Sequence, residues 1–353
     1  MEAEGRQNYI DALRGVAVAL MVMVHAAATW NPFSSTQATP LAYLISGLGG
    51  LAAPLFVTLL GWGLMKTDLS IHQRWSRALF LIVCQVFVNI SAPHLFEPLT
   101  PGVLSLMGLL ILLEPIWAHP LRKYQNQTLS FAIISLSCFI VIFAFPEIQG
   151  EGLWNSRVHT PDVPTLVHHL ILTGTYPLFP WLLFAVLGAT IGRLDSNSIS
   201  PFYAGVLTTG LIFSSLTLVW AESNKQTWAL PSGDAVLTFF PSNVPFLIAA
   251  ITGTILLWII SSRLLNKSTL LAGAGRCSLS VYVVHFIPLA LLHDLNDTFE
   301  WTLPQSSFFV LCYTFGAVVL GALWYYKAPR STLENLMRYF DKKPSATEHN
   351  ESE

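Results

Sequence analysis

Long apolar runs constrain this chain more than any other feature. About ten mostly apolar stretches follow one another, each near the roughly 20 residues that a helix needs to cross a hydrocarbon core. They cover approximately 10–30, 41–64, 78–92, 102–118, 128–145, 176–193, 201–220, 243–262, 277–293 and 305–326. Of the 353 residues, 53% are hydrophobic and 11% charged, against about 25% charged in soluble domains. The predicted fold class is therefore all-α: a polytopic integral membrane helical bundle of about ten transmembrane helices. With a net charge of −2 and no run mixing basic and aromatic residues, nucleic acid is excluded as a partner. The lipid bilayer takes that place.

An even number of spans puts both termini on one side, and the basic residues choose which. Lys66, Arg74, Arg122, Arg193, Arg263 and Lys327 are among the many that fall on the N-terminal side, whereas only Arg157 and Lys225 fall opposite. Both termini are thus predicted to be cytoplasmic. Small residues at Ala26–Ala28 imitate a signal-peptide cleavage site, but Glu2, Glu4 and Asp11 make the leader acidic, so it reads as a retained first span. Cys84, Cys138, Cys277 and Cys312 are widely spaced in or beside apolar runs, without a CxxC or His/Cys cluster. They are expected to pack as small apolar residues, with no disulfide and no metal site.

The first span, Tyr9–Trp30, reads YIDALRGVAVALMVMVHAAATW. Val16–Val24 is wholly apolar, yet Asp11, Arg14 and His25 interrupt the run around it. At 3.6 residues per turn, Arg14 and His25 share one face about 16 Å apart, and Asp11 sits one turn before Arg14 on the same stripe. An ionised group in the hydrocarbon costs roughly 3 kcal/mol on insertion scales, so this face is expected to point into the protein. Arg14 snorkelling beside Asp11, and a neutral His25 bonded to a neighbouring helix, form the plain alternative. The ninth run has a similar layout. Arg276 stands just before it, His285 lies about 13 Å further along, and Tyr282 is one turn below His285.

The remaining polar residues are concentrated in loops. Pro93–Pro101 carries His94 and Glu97, and Pro146–Thr175 carries Arg157, His159, Asp162, His168 and His169. These outer loops read either as solvated connections or as a cap that receives a polar acceptor. Two prolines in Tyr176–Trp181 are expected to kink the sixth span, and Gly188 and Gly192 to serve tight helix packing. Glu114 reads as an interfacial residue. The membrane domain is expected to cover 1–326 and a cytoplasmic tail 327–353. Within the tail, Ser331–Phe340 predicts an amphipathic helix with Leu333, Leu336, Met337 and Phe340 on one face, followed by disorder beyond Asp341.

The run I-D-A-L-R-G followed by an apolar stretch ending in His resembles the first span of the membrane-embedded acyltransferases, with Arg14 and His25 separated by ten residues. Further matches are A-P-L-F-V-x-L-x-G at Ala53–Gly61, Y-P-L-F-P-W-L-L-F-A-V-L-G-A at Tyr176–Ala189, G-R-C-S-L-S-V-Y-V-V-H at Gly275–His285 and T-L-E-N-L-M-R at Thr332–Arg338. That superfamily includes acyltransferase family 3 and the catalytic domain of heparan-α-glucosaminide N-acetyltransferase, and the arrangement is most similar to bacterial relatives of the latter. The resemblance implies an enzyme of a bacterial inner membrane. It would move an acyl group, expected to be acetyl, from cytoplasmic acyl-CoA to a hydroxyl or amine of an extracytoplasmic glycan-like acceptor. Acetyl-CoA would then be a donor substrate, with no permanently bound cofactor. The candidate catalytic residues are His25, Arg14 and His285, and the candidate donor-binding residues are Arg14, Asp11 and Arg276. His25 has two possible roles, general base or acylated nucleophile. A secondary transporter using the same polar stripe is the alternative function. It fits the proline-broken Tyr176–Pro180 but lacks a midspan acidic pair.

Overall fold

Inside a bilayer each backbone N–H and C=O must find its partner within its own segment, so apolar runs become helices. The computed structural model describes residues 7–32, 39–123, 126–194 and 196–341, and it is 77% helical with almost no strand. In chain order the first half holds α1 (Asn8–Thr29), α2 (Pro40–Gly49), α3 (Ala52–Lys66), α4 (Ile71–Ser91), α5 (Val103–Leu112), α6 (Glu114–Trp117), α7 (His119–Lys123) and α8 (Gln127–Ala144). Two short helices, α9 (Trp154–Val158) and α10 (Val163–His168), lie in the long loop before α11 (Leu178–Arg193) and α12 (Ser196–Ser223). A small ladder of β1 (Ala229–Ser232) and β2 (Leu237–Phe240) follows. The chain then continues through α13 (Val244–Leu264), α14 (Thr269–Arg276), α15 (Ser278–Val284), α16 (Phe286–Leu291), α17 (Leu295–Thr298), α18 (Leu303–Lys327) and α19 (Leu333–Phe340).

Among the described residues six helical segments are long and apolar enough to cross a membrane: Asn8–Thr29, Tyr43–Lys66, Ile199–Ser223, Val244–Leu264, Ser278–Thr298 and Leu303–Lys327. Val163–Thr173 and Leu178–Arg193, bent by 51° at their break, supply a seventh if they count as one span. Three of the ten expected runs fall short of that standard. α5 has 10 residues, the apolar part of the next run stops at Thr128–Ala144, and the first turn of α4 carries His72, Gln73 and Arg74. The predicted kink is present in the sixth run. Phe179 leaves helical geometry (φ −102°, ψ 121°) directly before Pro180, whose ring disfavours a helical residue ahead of it.

α1 lies at the centre, packed by α3, α14, α15 and α18. Its closest neighbour is α14, and two glycines make that approach possible. A Cβ on Gly15 would fall 2.0 Å from the Leu271 carbonyl oxygen, and one on Gly275 1.9 Å from that of Asp11. This reciprocal crossing presses the two backbones together, as small residues do between membrane helices. Gly188 has the packing role expected of it, on α11, where a Cβ would meet the Thr58 carbonyl at 1.8 Å. All four cysteines are free, with Cys84, Cys138 and Cys277 buried and Cys312 exposed. The segment beyond Asp341, expected to be disordered, lies outside the described residues.

Candidate functional site

The two histidines singled out on separate spans meet. Nδ1 of His25, near the C-terminal end of α1, lies 2.9 Å from Nε2 of His285, at the junction of α15 and α16. Their rings lie 10° from parallel with centroids 5.1 Å apart, and Phe286 packs on both, at 4.7 Å and 4.2 Å. The far side of His285 is anchored to the backbone, with its Nδ1 2.7 Å from the Tyr282 carbonyl oxygen and 3.1 Å from that of Val281. The Tyr313 hydroxyl donates to the His285 carbonyl at 2.6 Å. His285 is buried and His25 half-buried.

Hydrogen-bond logic assigns the protons. A carbonyl oxygen only accepts, so Nδ1 of His285 carries the hydrogen, and neutral His285 offers a bare Nε2. Nδ1 of His25 must then donate to that nitrogen, which leaves Nε2 of His25 with a free lone pair. A backbone carbonyl thus dictates, through one imidazole, which nitrogen of the other can take a proton. Orientation of one group by a second, itself held by a third, is the arrangement expected of an activated base.

Three turns toward the other end of α1 lies a second cluster. Asp11 is 2% exposed, and its two oxygens are shared between cations: Oδ1 lies 2.9 Å from Arg14 Nη1 and Oδ2 2.9 Å from Arg276 Nε. Arg276 also donates to Asn8 Oδ1 at 3.3 Å, and its guanidinium lies over the Tyr325 ring at 5.4 Å. The Gly15–Gly275 crossing places the two helices close enough for this arrangement. A pocket of about 840 Å³ opens beside it, lined by Asn8, Tyr9, Asn266, Lys267, Arg276 and Tyr326 among others. Arg14, His25 and His285 do not line that pocket. The five candidate residues therefore form two clusters at opposite ends of one stripe.

The loops Pro93–Pro101 and Pro146–Thr175 form a cap beside the histidine pair. Phe96 packs against Phe286 at 5.8 Å, and Trp154 packs against Phe96 and donates from Nε1 to the Leu95 carbonyl. Arg157 and Glu97 make their contacts within this cap. Buried Arg157 donates to the carbonyls of Gln149, Thr173 and Gly174 at 2.8–3.0 Å, and burial lowers its pKa to about 10. Glu97 lies 2.7 Å from His159 Nδ1 and accepts from the Thr160 N–H, contacts that hold its carboxyl below the usual range. These contacts brace the cap, with Arg157 buried and the Glu97–His159 pair open to solvent.

Two acidic residues prove more constrained than their sequence context suggests. Glu114, expected at the interface, is buried at 2% exposure and ion-paired with Arg74 at 3.1 Å and with Arg122. Glu334 of α19, which the sequence does not single out, accepts from the N–H groups of Leu279 and Ser280 and from the Ser280 hydroxyl. Its i+3 neighbours on the tail give no local hint of this, because the partners lie 54 and 55 residues earlier. Leu336 and Phe340 of the same helix, expected on its apolar face, are exposed. Among the described residues no group of three or more His, Cys, Asp or Glu is placed to hold a metal ion.

The family model described as an acyltransferase domain, that of acyltransferase family 3, matches residues 7–326. The match takes in both clusters and stops one residue short of the end of α18. No curated protein matches the chain.

Proposed function

The chain belongs to acyltransferase family 3, and on that premise we propose that it moves an acetyl group from cytoplasmic acetyl-CoA to a hydroxyl or amine on an extracytoplasmic glycan-like acceptor. The observation that carries this reading is the 2.9 Å contact between His25 and His285, which leaves Nε2 of His25 free to accept a proton. The acceptor oxygen or nitrogen attacks the thioester carbon, and its proton passes to His25 Nε2 as the new bond forms. The carbon–sulfur bond then breaks, and the departing thiolate takes that proton. While protonated, His25 keeps donating from Nδ1 to His285, which stabilises the imidazolium.

The inner cluster suits the donor. Arg276 and Lys267 place positive charge at a pocket of about 840 Å³, where phosphate groups would find donors. Arg14 stands between that pocket and the histidines. The stripe from Arg14 to His25 is about 16 Å long, a span that the thin arm of an acyl-CoA could follow. We place the chain nearest the bacterial relatives of heparan-α-glucosaminide N-acetyltransferase, on the Arg–x10–His spacing and the Gly275–His285 run.

Purified protein in liposomes, given labelled acetyl-CoA and a cell-envelope glycan extract, should transfer label to the glycan. Solute flux without transfer would replace this reading with a transporter. The proposed orientation, with both termini in the cytoplasm of a bacterial inner membrane, makes a separate prediction. Reporter fusions after Lys66, Arg157 and Lys343 should read inside, outside and inside. An outside reading at Lys343 would refute an even number of spans.

A further inference from the structure

The segment that carries Arg276 and His285 is broken between them. Cys277 departs from helical geometry (φ −120°, ψ 35°), so α14 ends at Arg276 and α15 begins afresh at Ser278. A helix start leaves its first N–H groups without intrahelical acceptors, and a joint of this kind allows the second helix to tilt on the first. Here a residue from far along the chain satisfies them. Glu334 Oε1 accepts from the Leu279 N–H at 2.6 Å and from that of Ser280 at 3.4 Å, and Oε2 accepts from the Ser280 hydroxyl at 2.7 Å. The fully buried Ser280 oxygen accepts in turn from the Leu333 N–H at 2.8 Å, so the link is reciprocal.

The helix that delivers Glu334 is fastened at its other end too. Asp341, just past α19, pairs with Arg77 of α4 at 2.7 Å, and Phe340 packs on Phe80. α19 therefore bridges α4 and the first turn of α15, while Tyr282 and His285 project from the turns that follow. From Leu279 to His285 is about 9 Å along the helix axis. A carboxylate thus sits at the joint of the element that presents His285 to His25.

We infer that Glu334 is a positioning residue: by tying the tail helix to the first turn of α15, it holds His285 in register with His25. This inference rests on the acyltransferase reading for its kinetic consequence, but its geometric content is independent of that reading. A small misplacement suffices, since a shift of about 1 Å in a catalytic constellation can cost on the order of a hundredfold in rate.

The test uses the full chain in liposomes, with Glu334→Ala, Glu334→Gln and, as a control at the other end of the bridge, Asp341→Asn. Transfer from labelled acetyl-CoA gives kcat and the donor KM. Labelling by diethyl pyrocarbonate, mapped by mass spectrometry, reports the accessibility of His25 and His285 without turnover. Glu334→Ala is expected to lower kcat at least about tenfold with the donor KM unchanged, and to label His285 faster than the wild type does. Glu334→Gln, which keeps the shape and one accepting oxygen, should fall between, and Asp341→Asn should stay near the wild type. Wild-type kcat and labelling in Glu334→Ala would overturn the inference, as would an equal loss in Asp341→Asn. If the alanine variant does not insert, the glutamine variant decides by the same criteria. If the wild type transfers no acyl group, the proposed function fails, and the labelling arm still decides the role of Glu334.

Discussion

Correctly inserted His25→Ala is expected to lose at least about a hundredfold in acyl-transfer turnover, the low end for removing a positioned base. The expectation follows from the relay of protons rather than from the presence of a histidine alone. With Nδ1 of His285 committed to the Tyr282 carbonyl, only Nε2 of His25 remains able to accept a proton from an attacking hydroxyl. His285→Ala should therefore also slow transfer, because His25 loses the acceptor that selects its tautomer. His285→Gln should retain more activity than His285→Ala, since an amide oxygen can still accept from His25 Nδ1. Saturating labelled donor, with insertion checked by size-exclusion chromatography in detergent, measures all three. Near-normal transfer by His25→Ala would remove His25 from the base role and leave His285 as the next candidate.

Asp11→Ala is expected to destabilise the bundle at the α1–α14 crossing by about 3 kcal/mol, the low end for removing one partner of a buried ion pair. The low end applies because Arg14 is 30% exposed and Arg276 13%, so water can partly compensate their charges. The cost arises because two guanidinium groups at the α1–α14 crossing would lose the carboxylate between them. Thermal unfolding in detergent should show a clear fall in Tm, and the donor KM should rise as Arg276 loses its fixed position beside the pocket. An unchanged Tm would show that water and the arginines' other partners make up for the lost carboxylate. Arg14→Lys tests the same cluster more gently, because an ammonium keeps the charge but loses the planar fork.

The helical class, the central stripe and its spacing were all open to reading from the residues alone. Periodicity is local: Asp11, Arg14 and His25 share a face because of 3.6 residues per turn, whatever surrounds them. The apolar runs likewise announced helices. They did not settle how many cross a membrane, because length and apolarity are graded. α5 and α8 fall below the length that the six clear spans reach. The sequence also anticipated Gly188 as a packing residue, since a small side chain has few other uses on an apolar helix.

Partnership is where local reading stops. His25 and His285 are separated by 260 positions, and nothing in either span names the other. Nothing local singles out Glu334, and Glu114 reads as an interfacial residue. Glu114 is buried against two arginines, and the half-buried Glu334 accepts from N–H groups, all contributed by other segments. A residue's helical face is set by its neighbours in sequence, so the sequence alone determined the fold class and the two polar ends of α1. Which groups meet across helices depends on where backbones can approach, here at the Gly15–Gly275 crossing and the α14–α15 joint. Only the tertiary structure decided that the two histidines form one unit, because their contact is a property of packing and not of period.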